Sequence, residues 1–526
     1  MPAGKSPAYG FSDLYSRLQE RFAAQVEEET PAYGEAGQNV REEIVRCIWF
    51  GSHFPPDELT TDDGRRIEVI SPGWWNVEGG PDFVRAEFIL EGAGRMVGDV
   101  EVHTVASDWY RHGHHRQPEY NDVALHVVLW EDRKDTAAGG VQTEGGDRLP
   151  QLTLSTVIEE DLEELVEVMG PEEEPPPARP PEAADRFCGR ALREGLISAE
   201  WLGRLLDAAG DHRILSRANV LADLFQNHSR EQLLYERIAE ALGFKNNRMP
   251  FMQLAGLLSV RKLREIVPAD AEPPTRSRML EAALLVVGGF LNAADAQEDD
   301  EETARYREEL RQAWRRLGEP PTQVRLSPDH WEYAGTRPVN YPARRIAALA
   351  RLLAGHLHEG LFACFLRLVN TARPEGRGRT DVAVRRALLE AFTELEHPYW
   401  SHRYKLGGAR LKKPRALVGR QRARSILVDV LLPMLLAHAR LEDGQELAER
   451  LYALWSGMPR RSANAVTRRM THTLFGERDG ARDVVNSTRR QQGLHQIYRD
   501  CCRGSNGCEQ CIIYLAHRSE LPSPDG

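Results

Sequence analysis

Four short runs of alternating or β-branched residues limit what this chain can fold into more than any other feature of its sequence. They are RRIEVI (65–70), FVRAEFIL (83–90), MVGDVEVH (96–103) and VALHVVLW (123–130). Runs of this kind, separated by Gly, Pro and Asp clusters, are typical of strands. From residue 188 onward strand patterns nearly vanish and helical spacing takes over. The sequence therefore predicts an α+β protein, with an N-terminal mixed α/β domain built on a small central sheet and a mainly α-helical C-terminal region.

A stretch rich in Pro and Glu divides the chain. Residues 171–186, PEEEPPPARPPEAADR, have too much of both residue types to pack into a core. We interpret them as a linker. The linker would separate a domain of residues 1–170, which holds the candidate metal or catalytic site, from a helical domain of residues 187–526, which holds a basic segment (400–425) and a C-terminal group of cysteines.

The number of cysteines and the length of the apolar runs indicate the cellular compartment. Seven cysteines in 526 residues are too few and too unevenly spread for a secreted disulfide framework. The first residues lack the basic-then-apolar pattern of a signal peptide, and the longest apolar runs fall far short of a membrane span. We expect a cytoplasmic protein with no membrane partner. Its net charge of -11 argues against nucleic acid coating the whole surface, but local basic patches can still bind phosphate.

Acidic and imidazole side chains are concentrated between residues 79 and 130. Residues two apart in a strand share a face, so Asp99, Glu101 and His103 are expected to point together. A hairpin of the second and third runs would bring Asp82 beside Glu101. Two neighbouring carboxylates suit a hard divalent cation such as Mg²⁺ or Mn²⁺.

The histidines of the same stretch allow a different metal chemistry. His103, His112, His114 and His126 together offer imidazole nitrogens to Zn²⁺ or to a redox metal. A polar network with a purely structural role is the third interpretation. The sequence leaves these alternatives open.

Three cysteines near the end of the chain predict a second metal site. Cys502, Cys508 and Cys511 follow each other closely, and a Cys-x-x-Cys spacing suits a soft metal in a cytoplasmic protein. The preferred fourth ligand is Cys188, with Cys501 as the alternative to Cys502. Four thiolates bind either Zn²⁺ or an iron–sulfur cluster, and the spacing does not separate the two.

Basic residues accumulate between Trp400 and Ser425, where nine Lys or Arg side chains occur without an acidic one. We expect nucleic acid as the partner of this segment, because such a run can follow a phosphate backbone. The predicted contacts are Arg403, Lys405, Arg410, Lys412, Lys413, Arg415, Arg420, Arg422 and Arg424. Arg344 and Arg345 form either a second phosphate contact or a simple helix start.

The order of Pro81-Asp82 and then Glu101-Val102-His103 resembles the core of the PD-(D/E)XK nuclease superfamily. The resemblance implies Mg²⁺- or Mn²⁺-dependent cleavage of DNA or RNA phosphodiesters. Asp82 and Glu101 would be the metal ligands, and His103, in a position where the superfamily usually has Lys, would orient or deprotonate the attacking water. One early cysteine followed by a late group of three is similar to the iron–sulfur nucleases, in which a cluster staples the nuclease domain.

As a whole, the chain is identified as a member of a bacterial family, domain of unknown function 2851. The segments that carry this resemblance are GPDF (80–83), GDVEVH (98–103), DWYRHGHH (108–115), YNDVALHVV (120–128), RPVNYPARR (337–345) and QQGLHQIY (491–498), with the terminal cysteines. The family implies kinship and no activity. The leading hypothesis is a metal-dependent nuclease. The alternatives are a non-catalytic scaffold that binds nucleic acid or protein and has a structural metal site, and a histidine-rich metal enzyme that acts on a small molecule.

Overall fold

The computed structural model describes the parts of the chain on which the fold is built. They are residues 10–23, 40, 42–56, 59–76, 79–133, 140–158, 186–244, 246–291, 299–318, 322, 325–374, 377–476, 480–502, 508 and 511–518. Apart from Arg186, the predicted linker lies outside the described residues. Within them, an N-terminal mixed sheet is followed by a mainly helical region, which confirms the predicted α+β class.

The strands lie in the first third of the chain. They are β1 (Ile67–Ser71), β2 (Trp74–Trp75), β3 (Phe83–Leu90), β4 (Gly94–Val105), β5 (Val123–Trp130) and β6 (Gln151–Thr153). The helices that accompany them are α1 (Leu14–Ala23), α2 (Glu42–Phe50) and α3 (Asp108–Arg111).

Helices make up nearly all regular structure after residue 186. In chain order they are α4 (Phe187–Arg193), α5 (Ala199–Asn227), α6 (Arg230–Gly243), α7 (Arg248–Leu257), α8 (Val260–Ile266), α9 (Pro273–Val287), α10 (Glu301–Arg316), α11 (Pro342–His356), α12 (Leu361–Thr371), α13 (Thr380–Thr393), α14 (Arg420–Ile426), α15 (Leu432–Leu441), α16 (Gln445–Ser456), α17 (Ala465–Phe475), α18 (Ala481–Val484), α19 (Thr488–Ile497) and α20 (Ile512–Arg518). Short π-helices occupy Leu427–Leu431 and Tyr498–Cys502. Within the described residues no single helix meets the length and hydropathy required to cross a membrane, although the bent pair α11 and α12 meets them together.

The sheet is antiparallel at one end and parallel at the other. Its order is β1-β3-β4-β5-β6, with β2 paired to β3 beside this path. β1 and β4 both run antiparallel to β3, whereas β5 runs parallel to β4 and β6 runs parallel to β5. Parallel neighbours need a crossover connection. The β4–β5 crossover contains α3 and carries two of the four histidines of the predicted site, His112 and His114.

Two main hydrophobic clusters hold the protein together, apart from a small third one around Trp109. The larger one joins the sheet to the helical region, with Val102 and Leu125 in the same cluster as Leu254 and Ile346. The smaller one contains Tyr15 of α1 together with residues of α4, α5, α17, α19 and α20. Helix α1, placed by prediction in the domain of residues 1–170, thus packs against the C-terminal helices. The predicted domain boundaries themselves stay a prediction.

Helices α5 and α19 cross at very short range because each has glycine at the crossing. A Cβ atom added to Gly493 would lie 2.0 Å from the backbone oxygen of Leu206, and one added to Gly210 would lie 2.2 Å from that of Arg489. Backbone oxygens cannot move aside as a flexible side chain does. The contact between these helices therefore requires the absence of side chains here.

The variant Gly493→Ala is expected to lower the free energy of unfolding by about 1–3 kcal/mol, because the added methyl group forces the two helices apart. Urea denaturation measures the change. Gly355→Ala is the matched control, since Gly355 is an exposed helical glycine with open space around it, and alanine there is expected to stabilise by up to about 1 kcal/mol. Equal stability of the two variants would contradict the close crossing.

Candidate functional site: a histidine–glutamate cluster on the sheet

Asp82 and Glu101 face each other where β3 begins. The antiparallel register pairs Phe83 with Val100 and so sets the two acidic residues opposite one another. The backbone N–H of Asp82 donates to Glu101 Oε2 at 2.8 Å, and the N–H of Val102 donates to Asp82 Oδ2 at 3.1 Å. Both carboxylates are buried. The structure brings together the two groups that the hairpin was expected to join.

Helix α2 adds a positive charge that the sequence analysis missed. Arg46 Nη2 lies 2.8 Å from Asp82 Oδ1, and Arg46 also pairs with Glu42 one turn earlier. Burial and the charge of Glu101 raise the pKa of Asp82 to about 7, although Arg46 acts in the opposite direction. The only sequence feature that pointed to Arg46 was the four-residue spacing of Glu42 and Arg46, which is equally typical of an ordinary surface helix.

Three imidazoles meet beside Glu101, and two of them lie against its side chain. His103 Nε2 lies 3.2 Å from His112 Nδ1 and 3.6 Å from Glu101 Oε1. His114 Nε2 lies 3.2 Å from the same oxygen. Each of the three histidines has a ring nitrogen that could bind a metal, and these three nitrogens all lie within 4.8 Å of one another. We call His103, His112, His114 and Glu101 the histidine–glutamate cluster.

A tight reversal after α3 presents two of these histidines. Trp109 is fully buried and its Nε1 donates to the Gln142 carbonyl at 3.0 Å, which anchors α3 to the domain. Gly113 follows with φ of +83°, a conformation that favours glycine, and the short 3₁₀ turn His114–Arg116 begins directly after it. The histidines on either side of this glycine thereby reach the same point.

A line of hydrogen bonds behind His103 fixes which ring nitrogen carries the proton. Gln151 Nε2 donates to Asp62 and to Glu131 at 2.6 Å each, so Gln151 Oε1 is the acceptor for His126 Nδ1 at 3.0 Å. Burial lowers the pKa of His126 to about 3, so this ring is neutral and its Nε2 accepts from His103 Nδ1 at 2.9 Å. Burial also lowers the pKa of His103. His103 Nε2 therefore presents a lone pair to the cluster.

His114 faces Glu101 in a way that favours a positive charge between them. Its Nδ1 lies 3.1 Å from Gln117 Oε1, which accepts the ring proton. Its Nε2 is buried and not aligned for a hydrogen bond, although Glu101 Oε1 is only 3.2 Å away. Burial alone would lower the pKa of His114, but the interactions with Glu101, Gln117 and Asp82 together outweigh it and raise the pKa. A ring proton or a metal ion would supply the charge.

The cluster has both an open side and a supported side. His112 is exposed, whereas His103, His114 and Glu101 are buried, so the cluster is accessible to solvent beside His112. The second ring nitrogens of His103 and His114 are held by His126 and by a glutamine amide. Metal-binding histidines usually have such partners, which fix the ring orientation. The arrangement is suited to holding a transition metal with one side free for water or substrate.

One expectation about this site is corrected. His126 does not join the predicted set of four imidazole ligands, because both of its ring nitrogens are engaged by His103 and Gln151. Asp99, two residues before Glu101 on β4, is not among the groups that meet in the cluster. Its Oδ1 instead accepts the backbone N–H of Arg85 at 3.0 Å.

The basic segment is only partly exposed. Arg403 is 2% exposed and pairs with Asp300 at 2.6 Å and with Glu302 at 2.7 Å. The prediction that Arg403 contacts nucleic acid is wrong, because its charge is already neutralised inside the protein. Arg422 and Arg424 are half-buried. The exposed predicted contacts are Lys405, Arg410, Lys412, Lys413, Arg415 and Arg420.

A buried arginine holds this segment in shape. The guanidinium of Arg344 is fully buried and donates to the carbonyl oxygens of Trp400 at 3.1 Å, Arg415 at 2.8 Å, Ala416 at 2.9 Å and Leu417 at 3.3 Å. The alternative that Arg344 contacts phosphate is therefore wrong. Its role is to fix the backbone from which the exposed basic side chains project.

All the predicted cysteine ligands meet in one place. A small pocket is lined by Cys188, Cys501, Cys502, Cys508 and Cys511. They form no disulfide. We call this group the cysteine cluster.

These features define an α+β protein with a histidine–carboxylate cluster, buried except at His112, on a mixed sheet. The chain belongs to the family described as "Protein of unknown function (DUF2851)", whose model matches residues 42–464. The matched region includes the histidine–glutamate cluster and the basic segment, and it ends before the C-terminal cysteines. No curated protein and no solved structure matches the chain.

Proposed function

We propose that this protein is a metal-dependent hydrolase whose ion is held by His103, His112, His114 and Glu101. The convergence of three imidazoles, two of which lie against Glu101 Oε1, carries the proposal. The separations of 3.2 and 3.6 Å are close to the ~3.4 Å expected between two ligands in a tetrahedral site with metal–nitrogen bonds of about 2.0–2.1 Å. The lone pair on His103 Nε2 is what such a ligand must offer.

The ligand types narrow the choice of ion. Imidazole nitrogens with one carboxylate suit Zn²⁺, Mn²⁺ or Fe²⁺, whereas Mg²⁺ prefers an all-oxygen environment. When bound, an ion of this kind polarises a substrate oxygen and lowers the pKa of water. Asp82 then serves to position Glu101 through its backbone N–H, and Arg46 balances the acidic pair.

A second arrangement of the ion is favoured by one observation. The pKa of Asp82 rises to about 7 because of burial and the charge of Glu101, and a cation shared by the two carboxylates would offset that repulsion. Mg²⁺ or Mn²⁺ would be the ion, as the nuclease resemblance implies. Against it, both Asp82 oxygens already have partners, namely Arg46 on Oδ1 and the backbone N–H of Val102 on Oδ2.

We propose phosphodiesters of nucleic acid as the substrate class. The support is the exposed part of the basic segment, where Lys412, Lys413 and Arg415 follow one another closely in a protein of net charge -11. Arg344 fixes the backbone of this segment, so these charges project from an ordered surface. Lys and Arg side chains arranged in this way neutralise backbone phosphates without regard to base sequence.

The test combines metal analysis with cleavage assays on the purified full chain. Metal content is measured by mass spectrometry, and cleavage of single- and double-stranded DNA, RNA and a small chromogenic phosphodiester is followed with Zn²⁺, Mn²⁺ and Mg²⁺. We expect Zn²⁺- or Mn²⁺-dependent cleavage that His112→Ala abolishes and His472→Ala, an exposed histidine elsewhere, leaves intact. The double variant Lys412→Ala/Lys413→Ala should weaken nucleic acid cleavage and spare the small diester.

Three outcomes decide between the alternatives. Mg²⁺-dependent cleavage that survives His112→Ala would favour the ion between Asp82 and Glu101. Cleavage of the small diester alone would remove nucleic acid as substrate. Bound metal without turnover on any substrate would overturn the hydrolase proposal and leave a scaffold with a structural metal.

A further inference from the structure

The cysteine cluster lies away from the histidine–glutamate cluster, in the smaller of the two main hydrophobic clusters. Cys188 at the start of α4 and Cys511 before α20 are both buried in it, and Tyr15 of α1 packs there as well. Tyr15 also donates its hydroxyl proton to Asp500 Oδ2 at 2.8 Å, directly before the C-terminal cysteines. Two remote parts of the chain thus meet at the pocket that the thiols line, and α1 packs beside them.

Local backbone geometry turns the C-terminal thiols toward Cys188. The backbone N–H of Cys511 donates to the Cys508 carbonyl at 3.1 Å, which closes the tight turn of the Cys-x-x-Cys pair. Cys502 ends the π-helix Tyr498–Cys502. Single π-helical turns change the direction in which side chains leave a helix and often occur at functional sites.

The adjacent Cys501 and Cys502 both line the pocket, together with Cys188, Cys508 and Cys511. Four thiolates are enough to hold a cluster. Cys502 ends the π-helix and is the nearer of the two in sequence to the Cys-x-x-Cys pair, so we take it as the ligand. The variant Cys501→Ser tests that choice.

The separation of the sulfur atoms distinguishes the two candidate cofactors. In a tetrahedral zinc site with Zn–S bonds of about 2.3 Å, the sulfurs lie only ~3.8 Å apart. Among the described residues, the ligand atoms of His103, His112 and His114 all lie within 4.8 Å of one another. Of the described sulfur atoms in the cysteine cluster, no three lie that close together. A cluster of several iron atoms needs wider spacing, because its cysteines bind different irons.

We propose that Cys188, Cys502, Cys508 and Cys511 bind an iron–sulfur cluster that joins the start of the helical region to its end. The bound cluster ties α4 to the segment after α19, and through Tyr15 it also orders the contact with α1. The proposal is independent of the hydrolase site, since none of its ligands belongs to the histidine–glutamate cluster.

The test is an anaerobic purification of the full chain, followed by iron and acid-labile sulfide analysis and an absorption spectrum. We expect iron and sulfide in equal amounts and a broad visible absorption. Cys188→Ser, Cys502→Ser, Cys508→Ser and Cys511→Ser should each lose the colour. Cys501→Ser should keep it, and so should Cys364→Ser, which changes a buried thiol outside the pocket.

Each other result counts against the proposal. Zinc in place of iron and sulfide, or no metal at all, overturns it on the wild-type protein alone, even if a serine variant fails to fold. Colour that survives Cys188→Ser overturns the link between the ends of the helical region. Colour that survives Cys502→Ser but is lost in Cys501→Ser overturns the choice between the adjacent cysteines.

Discussion

The variant Glu101→Gln is expected to bind Zn²⁺ or Mn²⁺ more than about 100-fold more weakly than the wild type. An amide of the same size can still accept the backbone N–H of Asp82, so the fold around β3 and β4 is kept. The negative charge that faces His103 and His114 is lost, however. Changes in groups that merely support metal ligands already cost about 10–100-fold in affinity, and loss of a charged ligand costs more. Calorimetric titration of chelator-treated protein measures the change.

A second glutamate on the same sheet provides the control. Glu87 lies on β3 and pairs with the exposed Arg95, so Glu87→Gln removes one charge from the sheet without touching the cluster. Its metal affinity and its cleavage rate should equal those of the wild type. If Glu101→Gln also bound metal with unchanged affinity, Glu101 would not be a ligand. The loss of cleavage should follow the loss of metal, and thermal unfolding would verify that the variant is folded.

The variant Asp211→Ala is expected to lower the free energy of unfolding by about 3–5 kcal/mol, because it leaves buried polar partners without their hydrogen-bond acceptor. Asp211 is fully buried on α5. It accepts from Ser12 N at 2.9 Å, from Trp455 Nε1 at 2.9 Å and from Arg489 Nε at 2.7 Å. It therefore connects the N-terminal segment, α16 and α19. Chemical denaturation followed by tryptophan fluorescence and by circular dichroism measures the loss.

The neighbouring pair on the same two helices is the matched control. Asp207 binds Arg490 through two hydrogen bonds of 3.0 and 2.9 Å, but both side chains are more than one-fifth exposed. Partly exposed ion pairs contribute little, so Asp207→Ala should change stability by no more than about 1 kcal/mol. Similar losses in both variants would show that burial does not determine the strength of these pairs.

The sequence predicts those features that depend on local pattern. Alternating runs identified the strands, and the two-residue period with a hairpin brought Asp82 beside Glu101. The same period predicted that Asp99 would point with Glu101, but it could not show that the Asp99 carboxylate accepts the backbone N–H of Arg85. No local pattern predicts the ion pair of Arg46 with Asp82, because Arg46 lies on a separate helix that packs on the sheet.

The wrong predictions for Arg344 and Arg403 have one cause, which is that both arginines are buried. Charge patterns are usually interpreted as surface, and Arg344 and Arg403 follow the pattern of a phosphate-binding run. Arg344 is instead satisfied by carbonyl oxygens, and Arg403 by Asp300 and Glu302 far away in the sequence. A guanidinium group that finds enough acceptors can be buried, and this depends on the tertiary structure alone.

The hydrogen-bonded line from Gln151 through His126 to His103 runs across three neighbouring parallel strands. The register sets His126 directly opposite Gln151 on β6 and opposite Glu101 on β4. If β5 slipped by a single residue, His126 would turn to the other face of the sheet, and His103 would lose the group that fixes its proton. Metal uptake would then act as a test of assembly, since a misaligned sheet could not retain the ion. Molecules that have taken up metal would be those whose strands are correctly aligned.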